Sequence, residues 1–213
     1  MTTSRDLMII AMDAAPDRPV EQGDLSLALA GAEVIDLLDC RAVTLDGDHI
    51  VPGPRPTTAD PLLEQAASSL VREVPPYESV GDWLWRRGRD LSAAYLQALE
   101  AEGLLSRQRR GMSFRAGPLV LADSSERRAA ADRRASGEPI LTALAEAIGI
   151  QGEGGEGGEN GEGGEDAAGF SSTDDDAVDT VLAAVIDALM QLEALRQRRA
   201  IEQAAFDNIW RGD

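Results

Sequence analysis

Between Arg86 and Arg115 the chain places seven arginines (Arg86, Arg87, Arg89, Arg107, Arg109, Arg110 and Arg115) against three acids, Asp90, Glu100 and Glu102. The whole 213-residue chain has a formal charge of −18. A local excess of arginine in so acidic a chain is not a by-product of composition. Each guanidinium is a permanently charged planar fork that fits phosphate oxygens, so the chemistry this stretch offers is anion binding.

Other chemistries find less material. There is no lysine, one cysteine (Cys40) and one histidine (His49). A lone cysteine forms no internal disulfide, and a reducing compartment is the simpler inference. Cys40 follows the apolar Leu37-Leu38 pair and reads as a buried, inert thiol. No zinc spacing, no Gly-x-Ser-x-Gly elbow and no phosphate-cradling Gly-x-x-x-x-Gly-Lys motif occurs, so no enzyme, cofactor or metal is expected. Glu33 and Asp36 lie three apart on one helix, as do Asp36 and Asp39, and read as ordinary solvated helix acids. The start, MTTSRDL, leads only to the short apolar run Leu7 to Met12, not to a secretory signal. No apolar stretch approaches the roughly 20 residues of a spanning helix. A cytoplasmic protein is expected.

The elements that carry these residues read mainly as helices. Apolar periodicity predicts helices over 24–38 (Asp24 as N-cap), 61–71, 80–88, 90–102, 127–135, 139–148 and 177–199. Asp60 followed by Pro61 is a helix start, and Gly103 a helix stop. Two hairpins are predicted, one from Arg41 to Val51 around Asp46-Gly47 and one from Leu104 to Leu121 around Gly111. Aromatics make up 4% of the chain, so Ala, Leu and Val must fill the core.

One boundary stands out. Gln151 to Asp166 reads QGEGGEGGENGEGGED, and ten acids with no arginine lie between 151 and 180. Glycine and like charge disfavour burial, so residues 151–176 are expected to form a disordered acidic linker. Its carboxylates lack calcium-loop spacing. More than half of the excess negative charge lies in 151–180, which leaves the body only mildly acidic. The expected fold is mainly α: a single helical domain with one or two β-hairpins, with a main body 1–150 and a C-terminal segment 177–213 packing back on it. A lone amphipathic helix has no core of its own, so Val178, Val181, Leu182, Val185, Leu189, Leu192 and Leu195 must be buried against that body.

Two functional patterns emerge. Helix 90–102 followed by an arginine-rich hairpin has the order of a winged helix, a DNA-binding arrangement. Its helix, however, offers Ser92, Gln97, Glu100 and Glu102 to the outside, without an arginine for phosphate or guanine. The second pattern is a resemblance. Asp6 to Asp13 (DLMIIAMD), Leu27 to Leu38 (LALAGAEVIDLL), the hairpin at Val43 to Val51, Arg55 to Glu64 (RPTTADPLLE), Asp82-Trp83 and Leu99 to Leu105 (LEAEGLL) follow in the order found in the Golgi phosphoprotein 3 family. The resemblance covers roughly residues 5–150, and the last helix fits the family's helical end.

That resemblance implies a non-enzymatic peripheral membrane adaptor at the cytoplasmic face of a membrane, binding phosphatidylinositol 4-phosphate or another anionic phospholipid. The family's headgroup positions fall near Glu21 and on Ala30, Arg89 and Ser92, of which Arg89 is retained. Arg86 and Arg87 either supply replacement charge beside Arg89 or lie on a solvated helix face. Trp83 reads as core, and Trp85 as core or interface. The hairpin tip, with Met112 and Phe114 among Arg109, Arg110 and Arg115, suits membrane contact or self-association, or packs back on the body. A soluble protein-interaction scaffold is the remaining alternative.

Overall fold

The computed structural model describes residues 2–14, 20–56, 58–70, 75–107, 119–151 and 176–210. The second half of the arginine cluster, Arg109, Arg110, Met112, Phe114 and Arg115, lies outside them, as does the acidic tract from 152 to 175.

The described residues form eight helices and two hairpins in the order α1 (Thr3–Asp13), α2 (Gln22–Asp39), β1 (Val43–Asp46), β2 (His49–Pro52), α3 (Pro61–Ser69), α4 (Val80–Arg87), α5 (Leu91–Ala101), β3 (Leu105–Arg107), β4 (Leu119–Leu121), α6 (Ser125–Ala135), α7 (Pro139–Ala147) and α8 (Asp176–Trp210). The mainly α fold with hairpins is therefore the one expected. Helix α1 was not among the expected elements. Leu7, Met8, Ile9 and Ile10 are all buried, so no polar face interrupts the run to betray a helical period.

Helix α2 is the axis. Ala28, Leu29, Ala30, Ala32, Val34, Ile35 and Leu37 are fully buried, on every side of the helix. Helices α1, α3, α4, α5, α7 and α8 all pack against it. Its small residues allow that crowding. A Cβ added at Gly31 would come within 2.3 Å of Val185 on α8. The start of α2 differs from expectation: the N-cap is Glu21, and Asp24 lies inside the first turn, where its carboxylate meets Arg196 of α8 at 2.8 Å.

Local signals set several boundaries. The Asp60 carboxylate accepts from the N–H groups of Leu62 and Leu63, and Pro61 opens α3. In the first hairpin Asp46 pairs with His49, so the turn is Gly47-Asp48, one residue later than expected, with Gly47 at φ 61°. Only glycine takes that left-handed conformation freely. This hairpin is tied to the start of α4, because Ile50 donates to the Glu78 carbonyl at 2.9 Å and Val80 to the Asp48 carbonyl at 2.8 Å. Leu105 pairs with Leu121 in the second hairpin.

Candidate functional site: the α4–α5 arginine corner

Helix α4 begins at Ser79, whose hydroxyl accepts from the Asp82 N–H at 3.0 Å. Its last turn carries Arg86 and Arg87, cations placed where the helix dipole favours them. Trp83 anchors it. The indole is fully buried and donates to the Ala30 carbonyl of α2 at 3.2 Å. Trp85 is half-buried, on the side facing α8. A Cβ at Gly88 would meet the Leu84 carbonyl oxygen of α4 itself at 2.5 Å and, across the contact with α2, the Ser26 carbonyl oxygen at 3.3 Å. The corner to α5 therefore needs glycine, and it holds Arg89 beside the N-terminal half of α2.

The three arginines of this corner have different surroundings. Arg86 has a half-exposed side chain, donates to both oxygens of Glu78 at 2.6 Å and lies over the Trp83 ring at 5.0 Å from its centre. Arg87 is 11% exposed and gives Nε and Nη2 to the two oxygens of fully buried Glu33 at 2.7 and 2.8 Å. It also reaches the Leu62 carbonyl at 3.2 Å and Gln65 at 3.0 Å, and the Tyr95 hydroxyl completes the cluster at 3.2 Å from Glu33. Arg89 is exposed and has no hydrogen-bond or ion-pair partner among the described residues. Of the three, Arg89 is the one with its fork open to solvent.

Two expected solvated acids prove to be interior. Glu33 is fully buried and Asp36 nearly so. Asp36 accepts from the N–H groups of Thr3 and Ser4 at 2.7 and 3.0 Å and from the Ser4 hydroxyl at 2.9 Å, capping α1 from another helix. Burial raises both carboxyl groups above their ordinary range, against the opposing pull of Arg87 on Glu33 and of the Ser4 and Thr3 donors on Asp36. A helical acid looks solvated in sequence unless its distant partner is known, and here those partners lie 54 and about 33 residues away. Cys40 departs in the opposite sense. It is exposed, because the buried stripe of α2 ends at Leu37 and the thiol lies on the C-cap, with Sγ 3.5 Å from the Leu37 carbonyl.

The positions suggested by resemblance divide in the same way. Ala30 is fully buried, and Ser92 is buried with its hydroxyl 2.9 Å from Ser26, whereas Glu21 and Arg89 are exposed. Neither of two shallow clefts among the described residues includes Arg86, Arg87 or Arg89; the larger, about 410 Å³, lies between α8 and the bodies of α2 and α7. No group of His, Cys, Asp or Glu among the described residues has the arrangement of a metal site. Among them, too, no helix is long and apolar enough to cross a membrane.

A helical body built around one buried axial helix, with small hairpins and an arginine-bearing corner, defines a mainly α class of protein. The family model of Golgi phosphoprotein 3 (GPP34) matches residues 4–207, nearly the whole chain, and the chain belongs to that family. No curated protein matches the chain.

Proposed function

We propose that this chain is a non-enzymatic peripheral membrane adaptor that binds anionic phospholipid headgroups, of the phosphoinositide kind, at the cytoplasmic face of a membrane. Arg89 is the leading headgroup contact. Arg86 is its second cation, reached by exchanging Glu78 for a phosphate. Arg87 fixes α4 through Glu33 and so holds the corner in place. The hairpin tip, Arg109, Arg110, Met112, Phe114 and Arg115, adds apolar insertion ringed by charge. The observation that carries this reading is the open guanidinium of Arg89 on a corner whose backbone Gly88 packs against α2.

Net negative charge does not oppose it. At physiological salt the screening length is about 8 Å, so remote acids contribute little at a local basic patch. Near an anionic surface each basic residue contributes about 1 kcal/mol, which makes a weak, salt-sensitive attachment the natural outcome. Membership of the Golgi phosphoprotein 3 family supports the adaptor role. The winged-helix alternative fares worse: α5 buries Leu91, Ser92, Tyr95 and Leu99, and Glu102 pairs with Arg5. Its exposed residues include Gln97 and Glu100 and no arginine.

Co-sedimentation with liposomes of varied headgroup tests the reading. Wild type should pellet with anionic vesicles at low salt and not with zwitterionic ones. Arg89→Glu should reduce the bound fraction most, Arg86→Glu less, and Met112→Ser with Phe114→Ser should weaken binding even at low salt. A wild type that ignores anionic vesicles at low ionic strength defeats the proposal, and retention on duplex DNA would favour the winged helix.

A further inference from the structure

Helix α8 runs unbroken for 35 residues, about 52 Å at 1.5 Å per residue. Its buried face is a regular seam. Val178, Val181, Val185 and Ala188 are buried at spacings of three, four and three, and Leu192 continues the series half-buried against α2. The same alternation goes on past the body through Leu195, Arg199, Glu202 and Phe206, and in the sequence it reaches Ile209. Alternating threes and fours are the spacing of a seam that packs against another helix. Here the side chains are exposed: Leu195, expected in the buried stripe, is 45% exposed because the body ends near Leu192, and Phe206 is 57% exposed. Arg199 has no ion-pair partner among the described residues, and Glu202 is held only by an exposed pair with Arg198 one turn earlier, at 3.1 Å, which a facing arginine can share or replace.

We propose that this second half of α8 is the contact surface for a second copy of the chain, paired antiparallel through the same seam. The argument is that the seam is complementary to itself. A two-fold axis between Ala200 and Ile201 sets Leu195 of one copy opposite Phe206 of the other, and Arg199 opposite Glu202. Both relations then occur twice, as an isologous interface requires. Apolar residues meet apolar residues toward the ends, and the two central pairs carry opposite charge and fix direction and register.

A membrane fits this segment less well. From 193 to 207 three arginines are matched by three acids, so an anionic surface gains no net attraction there. Folding back on its own body is excluded by the continuity of the helix from Asp176 to Trp210. Met190 and Ile201, though exposed, project from another side of α8 and take no part. The overlap from Leu192 to Ile209 is about 27 Å long, short enough that the dimer is weak and reversible. The inference is independent of lipid binding at the arginine corner.

Sedimentation equilibrium of the full chain over a micromolar concentration series tests it, with circular dichroism to confirm that each variant keeps its helix content. Wild type should move from the 22.6 kDa monomer toward twice that mass. Leu195→Glu, Arg199→Glu and Glu202→Arg should each remain monomeric, and Ile201→Glu should behave as wild type. An equimolar mixture of the Arg199→Glu and Glu202→Arg chains should associate again, because every facing pair is then of opposite sign. A wild type that stays monomeric throughout overturns the proposal. So does a dimer that survives Arg199→Glu, one broken by Ile201→Glu instead of Leu195→Glu, or one abolished by Met112→Ser with Phe114→Ser, which would assign the contact to the hairpin.

Discussion

Arg87 and Glu33, 54 residues apart, meet through two parallel hydrogen bonds of 2.7 and 2.8 Å between α4 and the fully buried face of α2. A bidentate pair of this kind fixes orientation as well as distance. It locks the helix carrying the arginine corner to the axis of the fold, and Tyr95 from α5 donates into the same carboxylate.

Breaking that pair should be expensive. Arg87→Ala leaves a buried carboxylate with only Tyr95 as a side-chain donor, and removal of one partner of a buried pair costs about 3–5 kcal/mol. Arg86→Ala, at a half-exposed pair with Glu78, should cost less than about 1 kcal/mol. Chemical denaturation of the two variants measures the contrast. Equal, small losses would mean that Glu33 finds water or another partner without Arg87.

The buried carboxyl groups also make a pH prediction. Burial raises Asp6, Glu33 and Asp36 above the ordinary carboxylate range, with Arg133, Arg87 and the Ser4 and Thr3 donors opposing it. Between the ordinary value, about 4, and the raised one, the folded protein holds protons that the unfolded chain has released. Stability from these groups is therefore fully present below the ordinary value and is lost as pH rises through the raised one. Asp36→Asn removes one such titration. Its denaturation free energy, compared with wild type from pH 4 to 7, should show the wild-type advantage shrinking as pH rises; an advantage that grows instead would mean that the α1 donors outweigh burial.

What could be read in the sequence was local. Asp60-Pro61 caps α3 and Gly103 closes α5 at φ 76°, because each signal and its effect lie within a few residues. Helix α8 was visible to Arg199 but continues to Trp210, since no glycine or proline stops it there. The arginine excess was equally legible, but its division was not. Glu78 holds Arg86 and Glu33 holds Arg87, while Arg89 is left exposed, and nothing in the spacing of three arginines distinguishes those outcomes. The same ambiguity hid Glu33 and Asp36, whose burial is set by helices far away in sequence.

Cys40 gives a chemical check on such a boundary. Because the thiol is exposed at the end of α2, native protein should react with a thiol reagent at nearly the rate of denatured protein. Cys40→Ser should change stability by no more than about 0.5 kcal/mol, as for other surface substitutions. Protection of the thiol until unfolding would return it to the core.

The packing of α8 on the axis can be tested at Gly31. A Cβ at this position would lie 2.3 Å from Val185, 3.7 Å from Leu84 and 3.8 Å from Val181, so Gly31→Ala must push α8 away from α2 or force Val185 off its rotamer. The helical preference for alanine, at most about 1 kcal/mol, works in its favour. Overpacking of a filled core costs about 1–3 kcal/mol and should outweigh it. Gly81→Ala is the control, since on α4 the added methyl meets only the Ser79 hydroxyl at 3.8 Å and gains the alanine preference without the clash. Thermal unfolding should place Gly31→Ala below wild type and Gly81→Ala at or above it. Pairing Gly31→Ala with Val185→Ala, which vacates the contacted methyl, should recover part of the loss from the glycine substitution. A Gly31→Ala protein as stable as Gly81→Ala would show that α8 does not sit against α2 at this distance.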